Sequence, residues 1–281
     1  MTEVDQQWAA SLISDFVMTS PANRFTGDFN EKAWDEVLVG FASGADPLFD
    51  AYKDLVGESH WTPLEIFRLA FPDADPDSAE LTVISWVLPQ REVVKADNAR
   101  ETTYPSARWI QARFPGEDFN NELRRHVVSA LALKSVRAVA PVISPLFSWE
   151  KSATRVFSSK WSERHAAYAA GLGTFGLCDG LITSKGKAHR LGSVVAHAVI
   201  PPSTRPYSDH HAYCLYFSGG DCLACAERCP VGAISEAGHD KTKCWDHAGK
   251  TCAEYVKNAY GFDGYGCGLC QTGVPCESGV P

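Results

Sequence analysis

Nine of the ten cysteines in this 281-residue chain lie after residue 206. Their spacing constrains the fold more than any other feature. The densest stretch, "CLACAERCPVGAI" from Cys222 to Ile234, reads Cys222-x2-Cys225-x3-Cys229-Pro230. A second group, "YGCGLCQTGVPCE", reads Cys267-x2-Cys270-x5-Cys276. Cys214, Cys244 and Cys252 stand before and between them. A segment so poor in long apolar runs cannot hold itself together by burial, so it needs cross-links or metal. The opening "MTEVDQQWAASLISDF" carries acids where an export signal needs bases, and no twin-Arg pair precedes an apolar run. The expected location is therefore the cytoplasm. Thiols stay reduced there, which favours metal over disulfides.

Pairs of the form C-x2-C also build zinc ribbons. The x3-Cys-Pro element instead belongs to the bacterial iron–sulfur run C-x2-C-x2-C-x3-C-P, in which the cysteine before proline serves the other of two clusters. The first cysteine of that run is missing here, and Gly219 stands in its place. Two cubane 4Fe-4S clusters need eight thiolates. With the crossover applied, one set takes Cys222, Cys225, Cys276 and a fourth ligand. The other takes Cys229, Cys267, Cys270 and a fourth. Cys214 is the only nearby upstream candidate for the first vacancy. Cys244 and Cys252 both qualify for the second. Cys178, isolated from the rest, is expected to be a buried small side chain.

Three regions follow from the rest of the chain. Residues 1–80 read as helices with loops: "EKAWDEVLVGFA" and "TPLEIFRLAF" have helical apolar spacing, and Thr62-Pro63 is a good helix start. Residues 81–205 alternate strand and helix signals. "LTVISWVLP", "RAVAPVIS" and "GSVVAHAVIPP" read as strands, and "NNELRRHVVSALALKS" and "WSERHAAYAAGLG" as helices. Residues 206–281 form the cysteine region. The expected fold is α+β or α/β, a core of short strands with helices followed by a ferredoxin-like domain with two 4Fe-4S clusters. No apolar run is long enough to cross a membrane, so no membrane role is expected. The net charge of −8 makes the chain a poor generic nucleic-acid binder. Its middle, residues 100–165, is nevertheless basic, and Tyr104, Arg108, Trp109 and Arg113 could line a pocket there.

Several motifs together resemble the epoxyqueuosine reductase family, itself related to the reductive dehalogenases. They are "AAGLGTFG", "LGSVVAHAVI" and "CPVGAI", then "DKTKC" from Asp240 to Cys244 and "YGCGLCQ" from Tyr265 to Gln271. The resemblance covers roughly residues 81–281. It implies Cys244 as the fourth ligand of the second set and leaves Cys252 spare. It implies a cobalamin beside the first cluster. Gly171, Gly173, Gly176, Ser193 and His197 are candidates to face that cofactor. It also implies a proton-donating Asp in a G-x-D-Y-H segment, matched here by Gly116 and Asp118 with Phe119 and Asn120 in place of Tyr and His. An Asp just before a helix is equally a good N-cap. The family's helical-repeat extension and the dehalogenases' twin-Arg leader have no counterpart in this sequence.

The expected function is thus an iron–sulfur oxidoreductase. An external donor (ferredoxin, flavodoxin or reductase) would feed electrons through two clusters to a cofactor that reduces a small-molecule substrate. The expectation argues against tRNA as substrate. The competing expectation is an electron-transfer protein without an organic cofactor, serving a partner enzyme. "GLGTFG" matches a dinucleotide fingerprint literally, but a helix rather than a strand precedes it, which argues against that use. His210 and His211, just before Cys214, could hydrogen-bond near the first cluster.

Overall fold

The computed structural model describes residues 4–150 and 157–281. Its centre is a four-stranded sheet in the order Leu38–Ser43, Thr82–Pro89, His189–Ala196, Ala138–Val139. Every pairing in it is antiparallel. Among the described strands there is no parallel crossover unit, so of the two expected classes the α+β arrangement is the one found.

The two inner strands are buried on both faces. All eight residues of Thr82–Pro89 are buried, and the register sets Ser85 opposite Ser193 and Trp86 opposite Gly192. Gly192 is required: a Cβ there would lie 2.4 Å from the Trp86 ring. The Trp86 indole N–H donates to Asn120 Oδ1 (2.8 Å), tying the sheet to the long helix Pro115–Leu133. That helix buries Phe119, Leu123, Val127 and Leu131 at the i, i+4 spacing of one face.

"TPLEIFRLAF" forms the helix Pro63–Ala70 as expected, with a complete capping box between Thr62 and Glu65. The helical expectation for "EKAWDEVLVGFA" fails, because Leu38–Ser43 is an edge strand paired along its whole length with Thr82–Pro89. Val37, Leu38, Val39 and Phe41 suit a pleated surface, and pairing overrode the helical spacing. The first eighty residues therefore contribute a strand to the central sheet. "RAVAPVIS" pairs only at Ala138–Val139, since Pro141 opens a 3-10 turn and lacks the N–H the ladder needs.

The helix Glu163–Ala169 ends in a Schellman motif. Gly171 N–H donates to Tyr168 O (3.1 Å) and Leu172 N–H to Ala167 O (3.0 Å), with Gly171 at φ +79°. A hairpin of Gly173–Phe175 and Leu181–Thr183 follows, and the cysteine region docks on it. No described helix is long and apolar enough to cross a membrane.

Candidate iron–sulfur site

Cys214, Cys222, Cys225 and Cys276 line one small cavity together with Leu177, Lys187, Val274 and Pro275. These are the four thiols expected for the first set, drawn from three separate segments. Short local elements aim them. Cys214 caps the helix Leu215–Gly219, and Cys225 sits in the helical turn Ala224–Glu227. The tail segment carrying Cys276 is held against the core: Lys187 N–H donates to Cys276 O (2.9 Å) and Ala188 N–H to Glu277 O (3.3 Å). Arg228 adds a clamp from within the cysteine region, donating to Leu269 O, Thr272 O, Asn98 O and Glu101 O.

The second set is arranged less simply. The Ala233 N–H points at Cys229 Sγ (3.2 Å), the kind of donor a metal-bound thiolate accepts. Cys267 converges with Cys252 and His247, whose ligating atoms lie within 4.8 Å of one another. Cys252 was expected to be spare, yet it is the cysteine brought to Cys267. Hydrogen bonding from Cys252 is the leading cause that pulls the Cys267 thiol down, to about 6. Cys244 is nearby and interacts with His239, whose pKa rises to about 9: burial opposes the rise, and Asp179 and Cys244 drive it.

A π-turn over Asp246–Thr251, inside the helical run 241–260, explains the Cys252 placement. In a regular α-helix residues five apart point about 140° away from each other. The wider turn brings His247 Nε2 to 3.4 Å from Cys252 Sγ. Nothing in the spacing of the cysteines announces such a turn.

Cys178 was expected to be a bystander. It is buried, but within hydrogen-bonding reach of Cys225 from one set and Cys270 from the other. Lys187, only 2% exposed, lies with Nζ 3.4 Å from Cys178 Sγ. Sequence inspection missed Lys187, whose only clue is a lysine between Gly186 and Ala188 in an otherwise buried stretch.

The basic, aromatic segment before Asp118 supports this region rather than lining an open pocket. The Trp109 ring packs on Gly268, between Cys267 and Cys270, so closely that a Cβ there would sit 2.1 Å away. Tyr104 stacks on Tyr255 at 4.0 Å. Arg113 lies over the Tyr265 ring at 4.6 Å, and Arg108 pairs with Glu31 and Asp97. His211 stacks on Phe217 (3.8 Å) and bonds Phe175 O through Nδ1 (2.8 Å), while His210 is exposed.

Asp118 lies in the first turn of Pro115–Leu133, where Phe114 is the N-cap, and it is exposed. Its neighbour Glu117 turns inward to Arg124 (2.7 Å) and Arg190. Burial pushes the Glu117 carboxyl up, but Arg190 and Arg124 outweigh it and hold it below the usual range.

The five residues named for a cofactor do not share a surface. Ser193 is fully buried, accepting from Trp161 Nε1 (2.9 Å) and donating to Glu163 (2.5 Å). Gly173 and Gly176 pack against Ile182, and Gly171 against Thr204. His197 stands on the far side of the sheet's end, 4.0 Å from Glu80. Internal packing accounts for the three glycines and Ser193, while His197 is exposed.

No protein-family model matches the chain. The epoxyqueuosine reductases of Bacillus cereus and Bacillus anthracis are each 30% identical over 130 residues, covering 44% of this chain and 32% of theirs. The match thus spans about a third of the length of the curated relatives. Among solved structures, a catabolic reductive dehalogenase in complex with 3-bromo-4-hydroxybenzoic acid superposes with a TM-score of 0.53 at 12% identity, covering 98% of this chain and 36% of that one. A selenomethionine-labelled epoxyqueuosine reductase gives 0.49 at 18% identity over 88% of this chain and 63% of its own. Another epoxyqueuosine reductase, with a TM-score of 0.49 at 17% identity over 88% of this chain and 63% of its own, was solved with an epoxyqueuosine-modified tRNA stem loop.

Proposed function

We propose that this chain, which resembles the epoxyqueuosine reductase and reductive dehalogenase superfamily, is an iron–sulfur oxidoreductase that passes electrons through two 4Fe-4S clusters. The observation that carries the proposal is the convergence of Cys214, Cys222, Cys225 and Cys276 on one cavity. Four thiols from distant positions around a shared space fit a four-thiolate cluster. Bound there, a cluster would supply one-electron transfer, and the surrounding side chains set its potential and keep water out. The second site draws on Cys229, Cys267 and Cys270, with Cys244 or Cys252 as its fourth thiol. The proximity of Cys252 to Cys267 favours Cys252, against the family pattern.

The electron source in this proposal is an external donor, and the acceptor a small-molecule substrate. Asp118 is the proposed proton donor, exposed to solvent at the opening of its helix. A cobalamin is what the resemblance implies, but the five residues named for it do not form a common face, and no step is derived through it. That same observation favours a second possibility, an electron-transfer protein that serves a partner enzyme without an organic cofactor.

The test is composition. Anaerobically prepared protein is expected to contain about eight iron and eight acid-labile sulfide per chain. Zinc without sulfide would overturn both versions. A visible spectrum then separates them, since cobalamin absorbs apart from the broad iron–sulfur shoulder.

A further inference from the structure

Cys178 and Lys187 lie outside both ligand sets, yet they sit where the sets meet. Cys178 reaches Cys225 of one and Cys270 of the other. Lys187 lines the cavity of Cys214, Cys222, Cys225 and Cys276, and the groups whose charge it feels are Cys178, Cys276, Cys225 and Cys270. Its Nζ lies 3.4 Å from Cys178 Sγ and also reaches the Cys276 thiol.

The backbone leaves this lysine little choice. Gly186 has φ +79° and sits so close to the tail that a Cβ would be 2.0 Å from Glu277 O. Lys187 N–H then bonds Cys276 O, which aims the side chain inward. Burying an ammonium is costly unless charge compensates it. The compensating groups around Lys187 are sulfurs.

We propose that the buried Lys187–Cys178 pair is an electrostatic bridge between the two clusters, with Lys187 raising the reduction potential of both and Cys178 holding it in position. The proposal rests on the two-cluster function above. A four-thiolate cluster gains a negative charge on reduction, so a fixed cation stabilises the reduced form more than the oxidised one. Burial strengthens the effect because water screens it less.

The experiment uses the full chain, reconstituted anaerobically, with iron and sulfide counted and both potentials read by an EPR-monitored redox titration. Lys187→Met is expected to keep its iron and to move both clusters to lower potential, by at least the 59 mV that makes a tenfold change in a one-electron equilibrium. Lys187→Arg, which keeps the charge, should recover most of that shift. Cys178→Ala should keep all its iron and lower both potentials by less. Unchanged potentials in an iron-replete Lys187→Met protein would overturn the bridge. Loss of iron from Cys178→Ala would overturn it too, by making Cys178 a ligand. If Lys187→Met takes up no iron, Cys178→Ala decides, and unshifted potentials there count against the proposal. Wild-type protein without iron and sulfide would instead remove the two-cluster function itself.

Discussion

Around the sheet, Trp34, Trp86, Phe119 and Leu123 pack in one apolar cluster, and Phe67, Trp161 and Leu181 in another. The buried cluster of the cysteine region is built differently, from Cys214, Cys225 and Cys276 with Leu177, Cys178, Ile182, Ile234 and Val274. Leu177, Cys178 and Ile182 belong to the neighbouring hairpin, so the tail's own contribution is largely thiol. One region can be held by apolar burial, which is non-directional and tolerant of detail. The other, on the proposed function, is held by metal–thiolate bonds, which are directional and removable.

Stripping the metal should break this contrast most visibly. Chelator-treated protein is expected to lose hydrogen-exchange protection across residues 206–281 while Thr82–Pro89 and His189–Ala196 stay protected. Equal protection of the tail with and without metal would mean that it has a self-sufficient core after all. Single thiols sharpen the point. Cys276→Ser should cost about four of eight iron, one cluster's share. At the second site Cys252→Ser should lose iron and Cys244→Ser should not; the reverse result restores the family pattern.

In the core the corresponding damage is measured as stability. Trp86→Ala removes a fully buried ring and leaves Asn120 Oδ1 without its donor, and it is expected to cost about 3–5 kcal/mol in denaturant unfolding. A cost below about 1 kcal/mol would show that the sheet tolerates the cavity.

Acid provides a gentler probe of the same region. Burial pushes His60 and His189 down to about 4 and His165 to about 3. Each is therefore neutral in the folded chain where the unfolded chain, titrating near 6.5, already takes up protons. The unfolded state binds more protons below that pH, so stability falls as pH drops from about 6.5 towards 4. Chemical denaturation at pH 7 and pH 5 measures this, and a flat profile would mean that the three rings are accessible in the native state. Smallest of all, Asp118→Asn on the exposed helix face should change stability by less than about 0.5 kcal/mol. Unchanged turnover in the same variant would remove Asp118 as proton donor.

Much of the local structure was legible in advance. The helix start at Thr62-Pro63, the strand at Thr82–Pro89, the helix ending at Gly171 and the grouping of Cys214, Cys222, Cys225 and Cys276 all follow from residues whose spacing is itself the signal. Leu38–Ser43 was misread because a short apolar run fits either period, and pairing with a distant strand decided it. Asp118 and Glu117 are adjacent and chemically alike. Only the positions of Arg124 and Arg190 determine that Glu117 turns inward and Asp118 outward.

Sequence alone singled out the thiols of the tail, through C-x2-C and Cys-Pro intervals that match iron–sulfur ligation. Tertiary structure decided which other groups stand beside those thiols. Cys178, Lys187 and His247 have no distinguishing neighbours along the chain. They reach the sulfurs through a hairpin, a glycine turn pinned to the tail and a single π-turn. Contacts of that kind arise from the packing of remote segments, and no local pattern of residues encodes them.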